Sequence, residues 1–234
     1  MKTITKIVGA FLVSATLAFS SLNGYAQNFL VDPGFELQAP PSAGGWFSFG
    51  GYFSMDYART GHWSMFNPAY YSVPGTFEQF PAAPGQKWQM TGYGLTPAPL
   101  LGSPAFGLVQ VTFFDIFGNN LGTVETAGTG TPAKVSNLVD ETVTPGQWIF
   151  LDTGTATAPA GTAYIQAFTL YVDFSGYVQG VYFDDLTLKV LVKNHGEYVS
   201  AIAYNAQALL HAGLITSAQA DALVNQAAKS GDGK

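Results

Sequence analysis

"AFGLVQVTFFDIFGNNLGTVE", residues 105–125, contains the whole architectural unit of this chain: strand, reversal, strand. Val109, Val111 and Phe113 fall at every second position, and Leu108, Gln110, Thr112 and Phe114 fill the positions between. Side chains alternate faces along a strand, so the first row predicts a core face and the second a mixed face of amide, hydroxyl and ring. "FGNN" at 117–120 supplies the Gly and Asn that a tight reversal needs.

The same pattern extends in both directions. Short alternating runs predict strands at 28–31, 46–54, 62–67, 75–80, 86–95, 105–115, 120–125, 135–141, 147–157, 162–173 and 178–191. "APGQ" at 83–86, "TPGQ" at 144–147 and "APAG" at 158–161 mark further reversals. Many short strands at this spacing predict an all-β, antiparallel two-sheet sandwich. Trp88 and Met90 share one face of their strand, with Thr91 and Tyr93 on the other; Ile165 and Ala167 point inward, Gln166 and Phe168 outward. These outward rows combine amides and rings with few charges, which suits contact with something polar, uncharged and flat.

After Lys193 the period changes. Asn194 with Glu197 reads as a helix start, and Tyr198, Ile202, Ala206, Leu209 and Leu210 form one stripe, with Gly213 as the stop. Thr216 and Gln219 form a capping box for a second helix whose Ala220, Leu223, Val224 and Ala227 share a face. The tail, 192–234, is therefore expected to be a helical hairpin too small to hold a core alone, packing on the sandwich, a twin or a partner.

At the other end, Lys2 and Lys6 precede the apolar "IVGAFLVSATLAF", and "GYA" precedes Gln27. This predicts a signal peptide over 1–26 and a secreted, extracellular or periplasmic mature chain. The apolar run is 13 residues long, short of the roughly 20 that a membrane span needs, so no membrane insertion is expected. Cysteine is absent, so disulfides contribute nothing to stability. The charge of −6 becomes −8 without Lys2 and Lys6. Nucleic acid and anionic membranes are bound through basic patches, and this chain lacks them.

Several segments, in order, resemble the carbohydrate-binding modules of the CenC-like group (families 4, 9 and 22) among the galactose-binding-like jelly rolls. They are "NFLVDPGFE" at 28–36, "GW" at 45–46, "DYARTGHWSM" at 56–65, "FEQFPAAPGQKWQMTGY" at 77–93, "VTFFDIFGNNLGT" at 111–123, "TPGQWIFLDTGTATAPAGTA" at 144–163 and "VYFDDLTL" at 181–188. The resemblance implies a jelly roll over 27–191, with "YARTGHWSMF" as scaffold and His62 exposed rather than catalytic. It also implies a structural calcium held by Glu36 and Asp184, with Asp185 as substitute. Calcium takes six to eight oxygens, mostly carboxylate and carbonyl; hydrogen bonding of these acids to turns is the reading without metal. The tail resembles a short "NHGxYVS" segment found at the ends of secreted bacterial proteins.

For ligand contacts, the resemblance points to Tyr93, Gln110 and Gln166 on one concave face, with Trp46 and Tyr52 extending the platform. Trp46 has an equally good reading as core, and Phe114 and Phe168 share the face unless the hairpin covers it. A pyranose offers an apolar C–H face to rings and hydroxyls to amides, which both donate and accept. The expected function is non-catalytic binding of a neutral polysaccharide or oligosaccharide. The alternatives are an extracellular structural or adhesive matrix protein and, third, a jelly-roll glycoside hydrolase or lyase. The sequence has no Gly-x-Ser-x-Gly elbow and no His-Glu-x-x-His. Adjacent Asp184 and Asp185 are expected on opposite strand faces, a poor acid/base pair.

Overall fold

The computed structural model describes residues 28–39, 45–68, 73–100, 105–125, 138–173, 179–211 and 215–231. The segment 1–26 expected to be a signal peptide, Gly213 and positions 135–137 of one predicted strand lie outside them. Eleven strands and two helices are present in the described residues: β1 Phe47–Phe49, β2 Tyr52–Ser54, β3 Ser64–Pro68, β4 Gly75–Pro81, β5 Lys87–Leu95, β6 Ala105–Phe114, β7 Asn120–Glu125, β8 Ile149–Asp152, β9 Ala156–Thr157, β10 Tyr164–Asp173, β11 Gly180–Leu191, α1 His195–His211 and α2 Ser217–Lys229. They form two antiparallel sheets followed by a helical hairpin. One sheet has the order β1-β4-β10-β6-β7; the other runs β2-β3-β11-β5-β8, with β9 also paired to β5.

The turn chemistry does what the sequence predicts. In "APGQ" and "TPGQ" the Gln N–H donates to the carbonyl three residues back, and Gly85 and Gly146 take φ of 80° and 76°. A side chain is strained in that left-handed region, whereas Gly enters it freely, and the Pro just before each Gly has its own φ fixed by its ring at the value the turn requires.

Three predicted strands are not continuous. Residues 46–54 split at Gly50–Gly51, so that β1 joins one sheet and β2 the other; a Cβ on Gly51 would meet Asn67 Oδ1 at 2.3 Å, so the crossing requires a bare backbone there. Residues 147–157 break at Gly154 (φ 64°) into β8 and β9. Residues 28–31 form a strap instead of a strand. Phe29 N–H donates to Leu188 carbonyl, Asn28 bridges Leu186 and Leu188, and Val31 N–H donates to the Glu78 carboxylate. Side chains thus replace a ladder. Of the predicted strand 135–141, the described part holds a single bridge, Val139 with Gly107.

The inward rows meet in one core. Trp88 and Met90 from β5, Val109, Val111 and Phe113 from β6, Ile165 and Ala167 from β10, and Phe183 and Leu188 from β11 are all buried. Burial of each large apolar side chain contributes roughly 1.5–3 kcal/mol, which offsets the entropy of ordering so many short strands.

The hairpin docks on this sandwich. Asn194 Oδ1 accepts from Glu197 N–H at the start of α1, and the Thr216–Gln219 capping box opens α2. Tyr198 and Ile202 pack with Phe29 and Val192, and the Phe29 ring in turn meets Trp88 edge-on at 5.1 Å. α1 lies against β4 and β11, one strand from each sheet, while α2 packs on α1. No helix among the described residues is long and apolar enough to cross a membrane.

Glu78 points into the core from β4 with 1% exposure. Its Oε2 accepts Val31 N–H at 3.0 Å, and its Oε1 is buried without a partner among the described residues. Burial raises its pKa from 4.5 to about 8. A folded-state pKa above the unfolded value favours folding at low pH, and that contribution is lost as pH rises through about 8. The melting temperature is therefore expected to fall as pH rises from about 5 to about 8.5. Glu78→Gln should flatten that slope and stabilise the alkaline end by roughly 2–4 kcal/mol, read by thermal melts across pH.

Candidate functional site

The outer face of the five-stranded sheet carries a ladder of matched rungs. Register places Gln79, Gln166, Thr112 and Thr123 side by side across β4, β10, β6 and β7. Two residues along the strands in one direction lie Phe77, Phe168 and Gln110; two residues the other way lie Pro81, Tyr164 and Phe114. An uncharged polar rung thus runs between aromatic ones.

The rungs are tied within themselves and to each other. Gln166 Nε2 donates to Gln79 Oε1 at 3.0 Å, Gln110 Nε2 donates to Thr112 Oγ1 at 2.8 Å, and the Thr112 and Thr123 hydroxyls stand 3.2 Å apart. A side-chain amide has two donor and two acceptor positions, so one mutual bond orients it and leaves capacity for a ligand. On one side Phe47 stacks on Phe77 at 5.1 Å, Phe77 meets Phe168 at 5.2 Å, and Phe49, 44% exposed, closes the group. On the other side Phe114 and Tyr164 stack at 5.1 Å and 9°. The hairpin, lying against β4 and β11, leaves Gln79 exposed and Gln166, Phe168 and Phe114 half-buried.

Of the sequence-predicted ligand residues, Gln110 and Gln166 come together here, and Phe114 and Phe168 accompany them. Tyr93 does not. It lies on β5 in the other sheet, where outward-facing residues emerge on the opposite side of the sandwich. The Arg59 guanidinium carbon covers its ring at 3.5 Å and Phe150 abuts it at 5.3 Å. Tyr52 shares that opposite side through β2, against Phe66 at 5.4 Å. Trp46 is core: it is 3% exposed, its indole N–H donates to Asp32 carbonyl at 2.9 Å, and Phe35 packs on it. The expectation of one platform formed by Tyr93, Gln110, Gln166, Trp46 and Tyr52 is thus corrected, because period 2 assigns faces within a strand but not strands to sheets.

Gln79, Phe77, Phe47, Phe49 and Tyr164 were not identified from sequence. In "FEQFP" both alternating rows contain a phenylalanine, Phe77 in one and Phe80 in the other, so hydrophobicity could not orient β4. A polar depression of about 310 Å³ bounded by Asp140, Thr142 and Gln147 lies beside β8, in the other sheet, and involves none of these residues.

The three acids expected to hold calcium gather at the 59–63 turn. Asp184, fully buried, accepts Arg59 N–H at 2.7 Å and Thr60 N–H at 3.2 Å on Oδ2, and Asp185 N–H at 2.7 Å on Oδ1. Glu36 Oε1 accepts the His62 and Trp63 N–H groups at 2.8 and 2.9 Å. Gly61, at φ 65°, gives these bonds room, since a Cβ there would lie 2.2 Å from Glu36 Oε1. Asp184 and Asp185 do not point to opposite faces. A bulge between Asp184 and Thr187, with Asp185 at φ 48°, turns the Asp185 carboxylate toward the same loop, where it binds the Arg59 guanidinium and the Thr60 hydroxyl.

Burial is the main cause that lifts the Asp184 carboxyl to about 6, against the lowering effect of its amide donors. Amide hydrogens and a guanidinium occupy the carboxylate oxygens, and the described residues hold no group of three or more acids and histidines placed as a metal site. As folded, these acids hydrogen-bond to the turn, the arrangement expected of the reading without metal. "YARTGHWSMF" is scaffold in this arrangement, and His62 is exposed.

No family model matches this chain, and no curated protein matches it. Solved structures with a similar outline include the C-terminal family 22 carbohydrate-binding module of Clostridium thermocellum Xyn10B, 16% identical with a TM-score of 0.45 over 73% of this chain and 97% of that one. TmCBM61, solved in complex with β-1,4-galactotriose, is 14% identical with a TM-score of 0.41 over 71% of this chain and 100% of its own. The enzymatically active domain of Bacteriophage CBA120 tailspike protein 4 is 11% identical with a TM-score of 0.45 over 70% of this chain, which spans 21% of that chain's length. At these scores the likeness is one of general outline.

Proposed function

We propose that this protein binds a neutral polysaccharide or oligosaccharide on the outer face of its five-stranded sheet, without cleaving it. The observation that carries this reading is the uncharged polar rung held between aromatic rungs, in which exposed Gln79, half-buried Gln166 and exposed Thr123 face outward and Thr112, 2% exposed, serves as a buried acceptor for Gln110. Sugar hydroxyls are met by amides already oriented by their neighbours, and the C–H faces of the rings by Phe168, Phe77 and Tyr164. Glycosidic hydrolysis needs two carboxyl groups across the sugar. The outward positions of these rungs on β4, β10 and β6 are amide, hydroxyl, ring or proline, and on β7 the register adds one acid, Glu125 opposite Gln110, without a second in the rungs. In this reading the protein works outside the cytoplasm after loss of residues 1–26, where polysaccharide is found.

Insoluble-polysaccharide pull-down and affinity electrophoresis with xylan and β-1,4-galactan test it. Gln166→Ala removes one amide from the centre of the rung and is expected to weaken retention about five- to tenfold, the worth of roughly 1–1.4 kcal/mol of hydrogen bonding. Tyr93→Ala, on the opposite face, should leave retention unchanged. Equal loss in both variants, or no retention by the wild type, would remove this face from the account.

The calcium implied by the sequence resemblance has a separate test. With Glu36 and Asp184 engaged by backbone N–H groups, the melting temperature is expected to be the same in millimolar calcium and in chelator. Asp184→Asn should destabilise by about 1–3 kcal/mol in both, since it disturbs buried charge-assisted bonds. A calcium-dependent rise in the wild type that Glu36→Ala abolishes would instead establish a metal there by mass action.

A further inference from the structure

Beyond Tyr164 and Phe114, the β6–β7 turn holds two large apolar side chains in water. Ile116 is 75% exposed and Phe117 82%, the highest values for any large hydrophobic residue among those described. Single exposed apolar side chains are ordinary; two in succession on a braced turn are not. The brace owes nothing to either side chain. Asp115 Oδ1 accepts the N–H groups of Phe117 and Asn119 at 2.8 and 2.9 Å, and its Oδ2 accepts Asn119 Nδ2 at 2.7 Å. Gly118 N–H donates to Asp115 carbonyl, and Gly118 supplies the left-handed φ of 83°. Asp115, Gly118 and Asn119 thus make the turn, and polar residues at 116 and 117 would fit it equally well.

The tip is continuous with the proposed binding face. Gly118 lies beside Tyr164, so that a Cβ there would stand 3.6 Å from the Tyr164 hydroxyl. Along the strands the order is therefore Phe77 and Phe168, then Gln79, Gln166 and Thr112, then Tyr164 and Phe114, then the tip. Phe168 and Tyr164 are four positions apart, about 13 Å at about 3.3 Å per residue, and the tip lies past that. Residues 105–125 contain no Lys or Arg, and Asp115 anchors the turn, which disfavours an anionic lipid or nucleic-acid surface as the occupant.

We infer that Ile116 and Phe117 form an end subsite for the same neutral glycan, one that engages only chains long enough to run from Phe168 past Tyr164. This rests on the glycan reading of the face and adds to it a selection for chain length. A turn whose backbone is already braced loses little main-chain freedom on contact, so only the rotamer freedom of the two side chains opposes their binding.

Isothermal titration of the full chain with disaccharides and hexasaccharides of the xylo and β-1,4-galacto series tests the subsite. The wild type should bind a hexasaccharide more tightly than the matching disaccharide. Phe117→Ala should weaken the hexasaccharide about tenfold and leave the disaccharide unchanged, with the double variant Ile116→Ser, Phe117→Ser losing more. Both positions are exposed, so thermal melts should match the wild type. A wild type retained by insoluble polysaccharide whose length preference survives both variants overturns the inference and leaves the glycan face standing. A wild type retained by no polysaccharide overturns both. A variant that alters only the sedimentation coefficient makes the tip a contact between copies of this chain and overturns the subsite.

Discussion

The continuous antiparallel pairing of β6 with β10, from Tyr164 against Phe114 to Asp173 against Ala105, is the constraint on which the rest depends. It sets Val109, Val111, Ile165 and Ala167 inward together and Gln110, Gln166 and Phe168 outward together. A slip of one residue would turn the amides into the core, where an unpaired polar group costs about 1–3 kcal/mol, and turn the valines into water. The buried row therefore enforces the exposed one. Hydrophobic burial supplies the energy, and the polar surface receives its geometry from it.

A second arrangement of the same kind organises the opposite sheet. The bulge after Asp184 breaks alternation once, and that break lets two adjacent carboxylates serve a single loop. Asp184 takes the N–H groups of Arg59 and Thr60, Glu36 those of His62 and Trp63, and Asp185 the Thr60 hydroxyl and the Arg59 guanidinium, which is drawn across Tyr93. A loop of this length would otherwise leave backbone donors without partners near the core. The acids are structural in this arrangement, and they consume an aromatic ring that would otherwise suit a sugar.

The two outer faces thus diverge in character although their strands have similar composition. One presents amides and rings at matched heights; the other has a guanidinium seated on its tyrosine and its acids committed to a turn. Helix α1, settled against one strand of each sheet around Phe29, stabilises the sandwich from its side and leaves the amide face to solvent. A flat uncharged ligand is recognised by that combination of pre-oriented amides and fixed rings, since neither needs to reorganise when hydroxyls replace water.

Much was legible before any coordinates. Alternation in 88–95, 105–115 and 163–172 separated the buried rows of Trp88 and Met90, of Val109, Val111 and Phe113, and of Ile165 and Ala167 from Tyr93, Gln110, Gln166 and Phe168, although Leu108 and Thr112 of the opposite row are buried too; Pro-Gly pairs located reversals, and the Thr216–Gln219 box located the second helix, because each depends on neighbours within a few residues. The split of 46–54 between two sheets, the strap at 28–31 and the bulge at Asp185 were not legible, because each is decided by a partner far along the chain: Asn67 beside Gly51, Glu78 beneath Val31, Arg59 and Thr60 across from Asp185. The same limit governs the candidate site. Local sequence determined that Tyr93, Gln110 and Gln166 point away from the core. Only the tertiary structure decided that the two glutamines share a surface and the tyrosine lies behind it, since a sandwich has two outsides and the strand period is the same on both.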